Sequence, residues 1–205
     1  MTLQWKLIAR DGFTLIELLV VIAIVAILIS LSSVTIFKAL DASKGVQCAS
    51  NLRQIATAMN LYLGDNRGYF PYQANASNEL WSEELSRWMT GSKKSVERLF
   101  YCAQQSPQTR YGYNDLIGNT EQSEIANGNT PNPYRMLLNI DQPAQKVLAG
   151  CVEQGRSISC NVAAGGFNKM ALVHSKKAMI LFVDGHVAPH RDSDLSFTAN
   201  FKPQK

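Results

Sequence analysis

Charge is scarce in this chain, and over one stretch it is missing altogether. Asp, Glu, Lys and Arg make up 18% of the residues, and the net charge is only +4. The Lys and Arg residues are scattered, with no basic stripe interleaved with aromatics, so nothing points to nucleic acid as a partner. No GxSxG, HExxH or Gly-rich phosphate loop occurs, so the local signatures of serine hydrolases, zinc peptidases and nucleotide binders are absent. There is no internal repeat and no low-complexity block. Apolar residues reach 46%, which fits a folded domain rather than a disordered chain. At 205 residues the chain is long enough for one globular domain plus an appendage.

The uncharged stretch runs from Leu18 to Phe37, 20 residues. As a helix it would cover ~30 Å, the thickness of a bilayer core. A secretory signal has an apolar region of about 7–15 residues and then a small-residue cleavage site. This run is longer, and no such site follows. Nearly every face of Leu18–Ile29 is apolar, which argues for a span over a buried core helix. A transmembrane helix over 13–37 is predicted. Lys6 and Arg10 precede it and Lys38, Lys44 and Arg53 follow, so flanking charge leaves its orientation open.

The helical pattern continues in amphipathic form over 38–63. Leu52, Ile55, Ala56, Met59, Tyr62 and Leu63 recur at three- and four-residue steps and share one face. Gly64, Asp65-Asn66 and Pro71 end the helix after about 50 residues. Gly45 is a weak point within it. Residues 64–135 are loop-rich. "NELWSEELSRWM" (78–89) predicts one short helix, with Leu80, Leu85 and Trp88 available for burial. Strand-length apolar runs follow: "YRMLLNI", "KVLAGCV", "SISCNV", "MALVH" and "AMILFVD". Asp184-Gly185 then predicts a type I′ hairpin turn. The fold class is α+β: a long N-terminal helix packed on a small, mostly antiparallel sheet.

Four cysteines, Cys48, Cys102, Cys151 and Cys160, follow the apolar run. They allow three pairings and suit two disulfides in an oxidising compartment. "VEQGRSIS" between Cys151 and Cys160 is turn-like, so those two could close a hairpin, leaving Cys48 with Cys102. Four buried free thiols are the alternative. The lack of a CxxC pair argues against zinc.

"GFTLIELLVVIAIVAIL" resembles the N-terminal motif of type IV pilins and type II secretion pseudopilins. Gly12 falls on that family's glycine before the cut, Phe13 on its N-methylated first mature residue, and Glu17 on its glutamate. Asp11 stands before Gly12, where a basic residue is more usual. The resemblance implies a leader at 1–12 removed by a prepilin peptidase, and a single-pass inner-membrane anchor with a cytoplasmic N-terminus. It also implies a periplasmic domain over 64–205. The implied partners are that peptidase, membrane lipid, other pseudopilin subunits, and an inner-membrane assembly platform with its ATPase. The chain would then be a structural subunit of a type II secretion filament, or alternatively a pilin of a surface pilus.

A second resemblance lies at His174, nine residues "SKKAMILFV", then Asp184-Gly185. It is similar to the H-X9-DG element of a prepilin-type family common among genome-predicted pseudopilins. "CASNLRQIATAMNLYLGDNRGYFP" and "LFYCAQQ" resemble that family's other landmarks.

Glu17 needs a physical reason. A lone carboxylate at membrane depth costs on the order of 3 kcal/mol. Opposite unit charges at 4 Å gain ~4 kcal/mol at an effective dielectric of 20. The free amine that cleavage would give Phe13 can therefore offset that cost. In the family the amine belongs to a neighbouring subunit, and the pair sets the register of assembly. An intramolecular role is the alternative, since residues 13 and 17 are one turn apart and a first-turn Glu suits the helix dipole.

No catalytic role is expected. A His174–Asp184 dyad with Ser175 nearby would need the strand to run unbroken between them, and a turn is predicted at 175–177. His174 is expected to brace the hairpin instead. No cofactor is assigned. A structural calcium would draw on Asp184, Asp192 and Asp194, but calcium wants six to eight oxygens.

Overall fold

The computed structural model describes residues 13–103, 111–126, 128, 132–152, 157–158, 170–191 and 193, without the side chains of 31–35. The leader, Gly12 and Cys160 therefore lie outside the described residues. The chain divides into two units, Met1–Leu40 and Asp41–Lys205.

The first unit holds the start of helix α1 (Leu15–Asp65), a 51-residue element that bears out the long-helix reading. Every side chain from Phe13 to Ser30 is exposed, including Leu15 at 87% and Ile16 at 70%. Among the described residues no helix is long and apolar enough to cross a membrane. The predicted span includes 31–35, whose side chains lie outside the described set.

In the second unit α1 is amphipathic, as its periodicity requires. Leu52, Ile55, Ala56, Met59, Tyr62 and Leu63 are all buried, and Cys48 extends the same face by one turn. The helix ends at Asp65. Gly68, at φ +78°, donates its N–H to the Leu63 carbonyl at 2.8 Å and helps close the last turn.

Short helices follow: α2 (Trp81–Leu85), α3 (Lys93–Arg98), α4 (Asp115–Gly118) and α5 (Glu121–Ala126). The single helix expected over 78–89 is instead α2 and a 3-10 turn, Ser86–Trp88. Leu85 is fully buried as expected, whereas Leu80 and Trp88 are half-buried; Trp81 is buried as well, and its indole stacks on Tyr113 with centroids 4.7 Å apart.

The sheet comprises β1 (Gly112–Asn114), β2 (Val147–Gly150), β3 (Ser157–Ile158), β4 (Ala178–Phe182) and β5 (Val187–His190). Its order is β3-β1-β2-β4-β5, antiparallel throughout except for β1 with β3. The central strand β2 is buried at all four positions, and its side chains share one apolar core with the buried face of α1. Gly45 faces Met179 and His174, and a Cβ there would make ordinary contact, 3.4 Å from Met179 Cε.

Three expectations are corrected. "MALVH" is not a strand: Met170 forms an isolated bridge to Val152 and the chain turns at 173–175. "YRMLLNI" is not a strand but two 3-10 turns, Pro133–Arg135 and Leu137–Asn139. Pro133 opens the first. Arg135 then turns inward, where its Nε and Nη2 donate to the Phe70 carbonyl at 3.2 and 2.9 Å. Its guanidinium lies 3.4 Å from the Tyr72 ring centroid and 3.6 Å from Glu124. Burying an arginine demands such partners, and a strand would not supply them. The β4–β5 connection is likewise not a type I′ turn. Gly185 N–H donates to Phe182 O at 2.9 Å across a three-residue loop in which only Gly185 (φ +90°) is left-handed.

Candidate functional site

Two constellations carry the chemistry, one in each unit. The first lies at the start of α1. Thr14 precedes the helix and Glu17 lies in its first turn. Glu17 Oε2 accepts from the Thr14 N–H at 2.9 Å and from its hydroxyl at 2.8 Å, while Glu17 N–H donates to Thr14 Oγ1 at 3.3 Å. This is a capping box: two helix-end N–H donors are satisfied reciprocally. The T-x-x-E spacing of Thr14 and Glu17 carries that signal in the sequence, independently of the Phe13 amine.

The second constellation is buried. Cys48 comes from α1, Cys102 from the loop after α3, Cys151 from the residue after β2, and His174 from the turn before β4. Cys48 Sγ lies 3.3 Å from Cys102 Sγ, and Cys102 Sγ lies 3.6 Å from Cys151 Sγ. His174 Nε2 is 3.4 Å from Cys102 Sγ and 3.7 Å from Cys151 Sγ. All four donor atoms lie within 4.8 Å of one another. Exposure is 0% for Cys48 and Cys151, 3% for Cys102 and 5% for His174, so all four residues are buried. The Ala103 N–H donates to Cys48 Sγ at 3.2 Å.

These positions correct the cysteine expectation. Cys48, Cys102 and Cys151 are free thiols. The pairing of Cys48 with Cys102 is replaced by a non-bonded contact, far longer than the ~2.05 Å of a disulfide. Cys151, expected to face Cys160, turns into the same cluster because β2 delivers it there. The missing CxxC excludes only a local metal knuckle; here the donors are gathered from four distant segments.

His174 is held by an uncommon turn. Ser175 and Lys176 both have positive φ, at 52° and 62°. His174 and Lys177 exchange backbone hydrogen bonds of 3.0 and 3.1 Å across them. Asp41 of α1 straps the turn by accepting from Ser175 N–H at 3.2 Å and from its hydroxyl at 2.9 Å. Two left-handed non-glycine residues in a row are costly, and such strain persists only where surrounding contacts over-determine it.

The cluster perturbs its own protonation. Hydrogen bonds from Cys102 and Cys151 hold the Cys48 thiol well below its usual range, whereas those from Cys102 and Cys48, with burial, push Cys151 up. Burial opposes an imidazolium at His174, but bonds to Cys102 and Cys48 outweigh it and raise its pKa to about 9. Among the described residues His174 Nδ1 is buried without a hydrogen-bond partner.

His174 and Asp184 do not meet. All of β4 lies between them, about 16 Å of extended chain. Asp184 Oδ1 instead contacts His186 Nδ1 at 2.6 Å and accepts from the His186 backbone N–H at 3.1 Å. The His186 ring stacks on Phe182, with centroids 4.3 Å apart. Asp192 and Asp194, the other two calcium candidates, lie outside the described residues.

Residues 9–33 match the family model of the prokaryotic N-terminal methylation motif. No curated protein and no solved structure matches the chain. The motif supports a type IV pilin-like protein with a membrane-anchored N-terminus, processed by a prepilin peptidase and assembled with other pilin-like subunits.

Proposed function

We propose that the chain is a pseudopilin-like structural subunit of a type II secretion filament that assists protein export across the outer membrane. The observation that carries this reading is the methylation motif at 9–33, which runs directly into a helix exposed on every described face from Phe13 to Ser30. So large an apolar surface is not left to water. Lipid covers it in the free subunit and neighbouring helices cover it in the filament. The subunit is anchored in the inner membrane with its sheet domain in the periplasm. An assembly platform and its ATPase add it to the filament, and it performs no catalysis.

The spacing His174…Asp184-Gly185 supports a pseudopilin over a pilus subunit, through its resemblance to an element of genome-predicted pseudopilins. The test is deletion of the gene in its host, complemented by wild type or Gly12→Val. Wild type should restore secretion of the exported proteins, and Gly12→Val should leave the subunit unprocessed and secretion lost. Normal secretion together with loss of surface fibres would replace this reading with the pilus one.

A further inference from the structure

We infer that Cys48, Cys102, Cys151 and His174 form a closed, tetrahedral structural zinc site. The inference is independent of the secretion reading and rests on donor geometry. Zinc takes Cys sulfur at about 2.3 Å and His nitrogen at about 2.0–2.1 Å. A tetrahedron with those radii has S–S edges of about 3.8 Å and S–N edges of about 3.6 Å. The observed edges are 3.3 and 3.6 Å between sulfurs and 3.4 and 3.7 Å between sulfur and nitrogen. Three lie within about 0.2 Å of the ideal and the Cys48–Cys102 edge is about 0.5 Å short of it, and every remaining pair lies inside 4.8 Å.

The alternatives explain less. A Cys48–Cys102 disulfide would consume two donors and leave Cys151 and the His174 Nε2 without their shared partner in a dry core, a costly arrangement. A catalytic thiol–imidazole pair needs an exposed nucleophile, and all four residues are buried. Three thiolates and one imidazole are a soft donor set that selects zinc over calcium or magnesium, and four protein donors leave no open position for catalysis. Binding would release the thiol protons and leave three thiolates around a divalent cation. The Ala103 N–H aimed at Cys48 Sγ is the kind of outer-shell donor that stabilises such a sulfur. The left-handed turn at Ser175-Lys176, strapped to Asp41, then has a purpose: it fixes the direction of His174. The metal would tie α1 to the loop after α3, to the end of β2 and to the turn before β4, four segments that no local sequence links.

The test uses the full-length chain, purified in detergent under reducing conditions, incubated with zinc and freed of unbound metal. Elemental analysis should find one zinc per chain. Cobalt substitution should give the intense ligand-field bands of a tetrahedral thiolate site. Cys102→Ser and His174→Ala should lose the metal. His174→Cys should keep it, which separates ligation from simple misfolding, and Cys160→Ser should keep it as well. Chelation should lower the thermal midpoint by about 10 °C. Substoichiometric zinc in the wild type, with or without a Cys48–Cys102 disulfide, would overturn the assignment. So would equal zinc in a Cys102→Ser/Cys151→Ser double variant.

Discussion

His174 Nε2 and Cys102 Sγ lie 3.4 Å apart although 72 residues separate them in the chain. That closeness replaces a disulfide framework with a set of free thiols. Alkylation of the denatured, metal-depleted chain should label Cys48, Cys102 and Cys151 individually, read by peptide mapping. A cross-linked Cys48–Cys102 peptide from protein purified without added oxidant would contradict the structure. In the native state the same thiols should resist the reagent, because none is more than 3% exposed.

The turn that presents His174 stores strain at Lys176, whose φ is 62°. Lys176→Gly relieves that strain but adds backbone freedom to the unfolded chain. The first effect is about 1–2 kcal/mol and the second is about 0.4–1 kcal/mol. A net gain of about 0.5–1 kcal/mol should appear in denaturant unfolding of the subunit. Lys176→Val should lose stability, since a branched side chain tolerates that backbone worst.

Gly118 is a site where no side chain fits. A Cβ there would sit 2.1 Å from Tyr113 Cε1 and 2.6 Å from Cδ1. The ring cannot retreat: it is fully buried, it stacks on Trp81, and its hydroxyl donates to the Pro71 carbonyl at 3.2 Å. Gly118→Ala should cost about 2–4 kcal/mol, near the upper range for overpacking, and lower the thermal midpoint accordingly. An unchanged midpoint would mean that Tyr113 packs elsewhere.

What the sequence made legible were periodic features. The six apolar positions from Leu52 to Leu63 announce their shared face through spacing, and β2 and β4 announce themselves as apolar runs between turn residues. β1, with three residues in "YGYN", is too short to show any period. "YRMLLNI" has the right composition for a strand but hides an arginine whose carbonyl partner, Phe70, lies 65 residues upstream. The thiol cluster was invisible for the same reason: Cys48 meets Cys102 across 54 residues and Cys102 meets Cys151 across 49, and only the packing of α1 on the sheet brings them together. The methylation motif and the T-x-x-E box are both local, and each is legible in the sequence directly.

Glu84 offers a pH test in the second unit. Burial is the main cause that raises its carboxyl above the usual range, partly offset by the hydrogen bond from the Tyr62 hydroxyl at 3.0 Å. With a folded-state pKa above the unfolded one, the folded chain binds the proton more tightly, so ionisation weighs against folding at neutral pH. Glu84→Gln keeps an acceptor for Tyr62 and removes that weight. Because the carboxyl is only half-buried, the gain at pH 7 should be modest, a few tenths of a kcal/mol. It should shrink as pH falls through the raised folded-state pKa and vanish below the unfolded one. Matched urea titrations of both proteins across acid pH would show this convergence, and a pH-independent difference would remove the carboxyl as its cause.

Glu17 now has two candidate roles, and the capping box separates them. Glutamine can take the same position in a capping box, so Glu17→Gln keeps the hydrogen bonds with Thr14 and removes only the charge. Thr14→Ala does the reverse: it abolishes the box, at a cost of about 0.5–2 kcal/mol of helix stability, and leaves the carboxylate. If the carboxylate pairs with the Phe13 amine of a neighbouring subunit, Glu17→Gln should be processed and membrane-bound yet fail to assemble, while Thr14→Ala should assemble with little loss. An amine buried opposite a neutral amide in an apolar filament core faces a penalty of several kcal/mol per subunit, which the intact cap does nothing to reduce. If Glu17 serves only its own helix, the order inverts, and Glu17→Gln filaments form normally while Thr14→Ala weakens them. Glu17→Val removes both contributions and so cannot distinguish the two roles, although it should ease membrane insertion by about 2–3 kcal/mol. Filament yield after shearing, measured beside the level of processed subunit in the membrane fraction, therefore decides between a contact across subunits and a helix cap within one.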